Sequence, residues 1–104
     1  MSQIYLKVYV SESQKHHGMA LYEWLLEEAK KMGIPGGSAY RAIAGYGRHG
    51  VMHEETFFEL AGNIPVEVEF VLSAEDEDRL LEVINDAGLK LFYVKFAADC
   101  GVTG

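Results

Sequence analysis

The sequence predicts one small α+β domain, a four-stranded antiparallel sheet carrying two helices on one face. Three observations predict it. Segments 3–10 and 65–72 alternate apolar and polar residues with period two, the signature of strands with one buried face. Segments 18–32 and 73–87 repeat apolar residues at helical spacing. Taken with two further strand segments, the elements run β-α-β-β-α-β, two halves of the same kind. A chain of 104 residues, 49% hydrophobic and 24% charged, suits a single soluble globular domain and leaves no room for a second core.

In the first strand, Ile4, Leu6, Val8 and Val10 take one face, and Gln3, Tyr5, Lys7 and Tyr9 the other. A polar turn follows, then a helix over 18–32. Leu21, Tyr22, Leu25, Leu26, Ala29 and Met32 share one arc of it, with Glu23, Glu27, Lys30 and Lys31 opposite. Trp24 lies off that arc and is expected to meet a neighbouring loop or subunit, while His16-His17 shape the turn before the helix. Gly33 stops the helix and Pro35 prevents its return. The alanine-rich stretch 38–46 is the second strand, and 47–63 a long connection. Val66, Val68, Phe70 and Leu72 form the buried side of the third strand. Pro65 stands at its first position, where a missing N–H costs no interior ladder bond. Ser73 with Asp76 three residues on marks the second helix start. Leu80, Leu81, Val83, Ile84 and Ala87 form its stripe, and Gly88 ends it. Residues 90–97 make the last strand, closing a domain of residues 1–97 with a flexible tail at 98–104.

This order is that of the ferredoxin-like sandwich, with both helices on one sheet face. The other face is left bare and should carry Tyr5, Lys7, Tyr9, Tyr40, Glu67, Glu69 and Val71. That mixture is too aromatic to be purely solvating and too charged for a core. Lys7 is placed to pair with Glu67 or Glu69 across neighbouring strands. Such a face suits contact between identical copies. The net charge of -7, with no basic run, argues against nucleic acid as a partner. A single cysteine, Cys100, cannot form an internal bridge and fits a reducing compartment. The N-terminal segment lacks the marks of a signal peptide, and no apolar run reaches membrane-spanning length. The cytoplasm is the expected location.

Gly45-Tyr46-Gly47-Arg48-His49-Gly50 is the most informative stretch. Glycines let the backbone approach a ligand, exposed N–H groups can cradle an anion, and Arg48 offers a forked donor. The stretch also fits the G-x-G-x-x-G dinucleotide pattern. That fold needs a buried parallel strand before the glycines, and a strand containing Ser38, Tyr40 and Arg41 is a poor one. A glycine hinge without a ligand is the plainer alternative. His49 and His53 share this loop and could close on a metal with Glu54 or a partner subunit as third ligand; solvated or structural histidines are the competing account. The carboxylates Glu23, Glu27, Glu28, Asp78 and Glu82 sit on outer helix faces. The spacing places no nucleophile beside a base, so an enzyme is not expected. His49 or His53 with Glu54 is the one pair that could serve as a base.

The glycine stretch resembles the base of the long T-loop in PII signal proteins, which reads Gly-Phe-Gly-Arg-Gln-Lys-Gly. Gly45, Tyr46, Gly47 and Arg48 match it, His49 stands for Gln-Lys, and Gly50 closes it. Ile64-Pro65-Val66-Glu67-Val68-Glu69-Phe70-Val71 resembles the strand after that loop, and the likeness runs on to Lys90-Leu91-Phe92. Over residues 3–97 the chain resembles more closely still the small PII-like branch called domain of unknown function 190. Ser11-Glu12-Ser13, His17-Gly18, Leu21-Tyr22-Glu23, Gly33-Ile34-Pro35-Gly36-Gly37, Arg41-Ala42-Ile43-Ala44-Gly45-Tyr46-Gly47 and His53 carry it. The resemblance implies a homotrimer that holds a small anion, such as an adenine nucleotide, in clefts between subunits. Gly45, Tyr46, Gly47, Arg48, His49 and Gly50 would line one half, with Arg41 beside them, and Lys90 would serve the other. The 47–63 loop would then signal to a partner, a membrane transporter among the options. The alternative is a metal-binding trimer of the ion-tolerance type using His49 and His53. Two departures matter. Only Ala87-Gly88-Leu89 separates the second helix from Lys90, so the phosphate-wrapping loop of PII is largely missing. No tyrosine lies between residues 47 and 64, which excludes uridylylation of a T-loop tyrosine.

Overall fold

A computed structural model describes residues 2–46, the backbone of 52–54, and 64–104. Its frame is the ferredoxin-like one: β1 (Ser2–Ser11), α1 (Leu21–Lys31), β4 (Gly37–Arg41), β7 (Pro65–Leu72), α2 (Ala74–Asp86) and β8 (Phe92–Asp99). Two small hairpins are added, β2 (Lys15–His16) with β3 (Met19–Ala20), and β5 (Ala44–Tyr46) with β6 (Met52–Glu54). The main sheet runs β4-β7-β1-β8, antiparallel at every step. Register places Leu6 opposite Phe70, Val8 opposite Val68 and Val10 opposite Val66. Those side chains join Leu21, Leu25 and Ala29 of α1 and Leu80 and Ile84 of α2 in one core.

Local signals set the ends of the helices. The Ser73 hydroxyl accepts from the Asp76 amide at 3.1 Å, with Glu75, Asp76 and Glu77 in the first turn of α2. Gly33 takes the left-handed conformation, φ 83°, that ends α1. Gly37 is required by a close approach, because a Cβ built there would lie 2.6 Å from Cε1 of Phe70.

Three boundaries differ from expectation. α1 begins at Leu21 rather than 18, because His17 (φ 52°) and Gly18 (φ 80°) turn the β2–β3 hairpin, whose two-residue loop needs positive φ at both positions. The two histidines do shape that turn. Trp24 meets it as expected, its ring 4.4 Å from that of His16 and nearly edge-on. The second strand is not continuous over 38–46. β4 stops at Arg41 because its partner β7 begins at Pro65, and residues past Ala42 find no ladder in the main sheet. The chain then turns into β5, where Gly45 pairs with His53 across the hairpin. The last strand starts at Phe92 rather than Lys90 and reaches Asp99. Ala98 and Asp99 pair with Gln3 and Ser2, since β1 itself extends that far.

One buried charge escaped the sequence patterns. Glu77 of α2 is 2% exposed, and the Lys95 ammonium on β8 donates to both its oxygens, at 3.0 and 3.2 Å. This bond holds Lys95 above the ordinary lysine pKa. Among the described residues, no helix is long and apolar enough to cross a membrane.

Candidate functional site

The base of the glycine loop is built at one end of the sheet. β4 delivers Arg41 there as its last residue, and the turn after β1 delivers Glu12. Arg41 Nε donates to Glu12 Oε2 at 2.6 Å. The Glu12 amide donates to the Ile64 carbonyl at 2.7 Å, and the Ala42 amide to that of Pro65 at 2.9 Å. The segment 43–63 therefore leaves and re-enters the sheet at a base where, among the described residues, the Arg41–Glu12 ion pair and these two backbone bonds meet. Beyond it, β5 carries Gly45 and the exposed Tyr46. A Cβ built at Gly45 would meet nothing within 4 Å among the described residues.

Gly47, Arg48, His49 and Gly50 lie outside the described residues, as does the side chain of His53, so the proposed anion cradle and the His49–His53 metal pair are not placed. Among the described residues, no group of three or more His, Cys, Asp or Glu side chains could hold a metal ion.

Lys90 stands on the link between α2 and β8, at a half-open cleft of about 350 Å³. Val8, Leu81, Ile84 and Leu89 supply apolar wall, and Asn85 and Lys90 supply polar groups. Strand direction sets the relation between this cleft and the loop base. Arg41 is paired with Val66, Ser11 with Pro65, and Tyr9 with Phe92, so Arg41, the loop base and the Lys90 link all lie at the same end of the sheet. They occupy opposite edges, however. β4 and β8 are three strand spacings apart, roughly 14 Å. One protomer thus brings these groups to one end without bringing them together.

The bare face is as aromatic as the alternation predicts, and more so. Tyr5 stacks on Phe96, centroids 4.9 Å apart and planes 9° apart, and Tyr9 packs against Phe92 at 5.5 Å. The expected cross-strand pair is Lys7 with Glu69, directly opposite in register and 3.9 Å apart. Tyr5 donates its hydroxyl to the other oxygen of Glu69. That hydrogen bond to a carboxylate, followed by burial, pushes the Tyr5 phenol up to about 12. Burial, then the nearby Glu67 charge, raises Tyr9 as well. Phe92, Val94 and Phe96 were missed as members of this face; Phe92 is 70% exposed and Phe96 51%. Their period-two spacing was the available signal. Next to Tyr5, Tyr40 and Glu69, a shallow cleft of about 680 Å³ runs along Gly36 and Gly37.

Comparison with known proteins follows this geometry. Residues 3–90 match the DUF190 family, described as uncharacterised ACR. The UPF0166 protein of Aquifex aeolicus is 38% identical over 79 residues, covering 76% of this chain and 75% of its own. The UPF0166 protein of Methanocaldococcus jannaschii is 39% identical over 101 residues, 93% and 88% of the two chains. Among solved structures, CPII from Thiomonas intermedia K12, a nitrogen regulatory PII-like protein bound to ADP, AMP and bicarbonate, gives a TM-score of 0.64. Its identity is 16%, over 99% of this chain and 97% of that one. The same protein bound to ADP and bicarbonate gives 0.65 at 18% identity, over 98% and 91%. At such identity the likeness speaks for the fold.

Proposed function

We infer the function from kinship and geometry together: the chain belongs to the DUF190 family, within the PII-like superfamily, and acts as a regulator that binds a small anion. The binding unit is a homotrimer in the cytoplasm, and the ligand is an adenine nucleotide held between subunits. The observation that carries this reading is the split site. Arg41, which leads into the hairpin that carries Gly45, ends the strand on one edge of the sheet, and Lys90 precedes the strand on the other, at the same end. A ring of copies placing β4 of one beside β8 of the next brings the two halves onto one ligand, and it buries the aromatic face that a single chain leaves exposed. Tyr46, Gly47, Arg48, His49 and Gly50 complete the first half. The cleft beside Lys90, with Leu81, Ile84 and Leu89 on its wall, is suited to an adenine ring, and the lysine to a phosphate. CPII holds ADP, AMP and bicarbonate, which supports ligands of this class.

The short link Ala87-Gly88-Leu89 offers few amide donors to a phosphate chain, so the expected preference is for mono- and diphosphates over triphosphates. Ligand binding biases the 47–63 loop toward one arrangement, and that arrangement engages a partner protein such as a transporter. This requires the ligand to bind two loop arrangements unequally. The reading assigns no turnover to the chain.

The test combines solution mass with calorimetric titration of AMP, ADP and ATP, with and without bicarbonate, against the native chain and Arg48→Ala. A trimer mass, binding of AMP or ADP, and loss of affinity in the variant are expected. A folded single-chain mass, or no nucleotide bound at millimolar concentration, overturns the proposal.

A further inference from the structure

We propose that Glu12 is a built-in competitor for the ligand: its carboxylate occupies Arg41 when no anion is bound and is displaced when one arrives. The inference rests on the proposed function and concerns how that same site is tuned.

Arg41 faces the helix side of the sheet at its open end, opposite Val66, where the core gives way to solvent. Its Nε–H points at Glu12 Oε2 over 2.6 Å, and the two side chains are 48% and 37% exposed. An ion pair this exposed ordinarily contributes little. This one is pre-set. The turn that carries Glu12 is closed by the Gln14 amide on the Ser11 carbonyl at 3.0 Å and by the Ser11 amide on Gln14 Oε1 at 3.3 Å. Ser11 and Ser13 share a hydroxyl contact at 3.1 Å, and the Glu12 amide is tied to Ile64 at 2.7 Å. The carboxylate is therefore presented by an ordered turn rather than by a free surface side chain. A guanidinium takes carboxylate, bicarbonate and phosphoryl oxygens through the same N–H geometry. Glu12 is thus a ready substitute for the anion at the point where the loop joins the sheet. An incoming anion must outcompete it, which raises the ligand concentration at which the site fills. Displacing Glu12 also breaks the ion pair that ties the β1–β2 turn to β4, so ligand arrival is felt at the loop base.

The experiment titrates AMP, ADP, inorganic phosphate and bicarbonate into the full chain and into Glu12→Gln, Arg41→Ala and the double variant, with thermal melts confirming that each is folded. Glu12→Gln is expected to tighten binding roughly two- to fivefold, the scale of a half-exposed ion pair. Arg41→Ala weakens binding, and Glu12→Gln adds nothing in its background. Glu12→Asp, charged but shorter, falls between Gln and the native residue. Comparing the nucleotides with the two inorganic ions shows which oxyanion competes. If the native chain binds and Glu12→Gln leaves affinity unchanged or lower, or tightens it equally without Arg41, the competitor inference fails while the function stands. If none of the four ligands binds any variant at millimolar concentration, the proposed function fails and takes this inference with it.

Discussion

Adding one carbon at Gly37 tests the packing that positions the loop-bearing edge of the sheet. A Cβ there lies 2.6 and 2.7 Å from two ring carbons of Phe70 and 3.0 Å from Cδ2 of Leu26. Carbon atoms rest at about 3.5–4.0 Å, so the ring has to retreat by roughly 1 Å. It has little freedom to do so. Phe70 is buried in the core and sits directly opposite Gly37 in the β4–β7 ladder, so ring and strand move together or not at all. Overpacking of this kind costs about 1–3 kcal/mol. For a domain of this size that lowers Tm by roughly 5–20 °C. The assay is thermal unfolding of Gly37→Ala at fixed protein concentration, since the proposed assembly would make Tm concentration-dependent. Gly36→Ala is the internal control, because a Cβ there meets nothing within 4 Å among the described residues. A Gly37→Ala protein that melts with the native one, or a Gly36→Ala protein that falls as far, would refute the argument.

Gly45→Ala is expected to leave thermal stability intact, as the new methyl meets nothing within 4 Å among the described residues, and, on the proposed function, to weaken nucleotide binding in titration. Phe96→Asp is expected to leave the fold intact, since half of that side chain is exposed, and to drop the mass seen by light scattering to that of one chain. The raised Tyr5 phenol gives a pH signature. Its pKa moves from 10 in the unfolded chain to about 12 when folded, so its contribution to stability is fully present below pH 10 and lost as pH climbs through 12. Comparing alkaline unfolding of the native chain and Tyr5→Phe checks this; the two should converge only at the alkaline end. Coincident profiles over the whole range would show that the Glu69 bond does not form.

The frame was legible wherever one residue pattern decided the outcome. β1 and β7 alternate cleanly, and α2 opens with Ser73 bonded to Asp76. What escaped depended on partners distant in the chain. β4 ends where β7 begins, so no property of residues 42–46 alone reveals the break. The β2–β3 hairpin was hidden because His17-Gly18 precede an apolar run that helix periodicity absorbs. Glu77 interrupts a helical stripe with a charge, and only Lys95, 18 residues on, explains it. The site follows the same rule. Its glycines and Arg41 were visible as a motif, while the hold of Glu12 on Arg41 joins residues 29 apart and has no local signature. The membership of Phe92, Val94 and Phe96 in the aromatic face was open to inference from alternation, once the strand was started at the right residue.

The inward lysine on β8 has a consequence for what can join that edge of the sheet. β8 is an outer strand of eight residues whose exposed side is apolar, a shape that invites any extended peptide to add itself to the sheet. Lys95, turned toward the helix layer and tethered by Glu77, puts a charge where a stranger's side chain would have to lie. Indiscriminate growth into fibrils is thereby discouraged at that border.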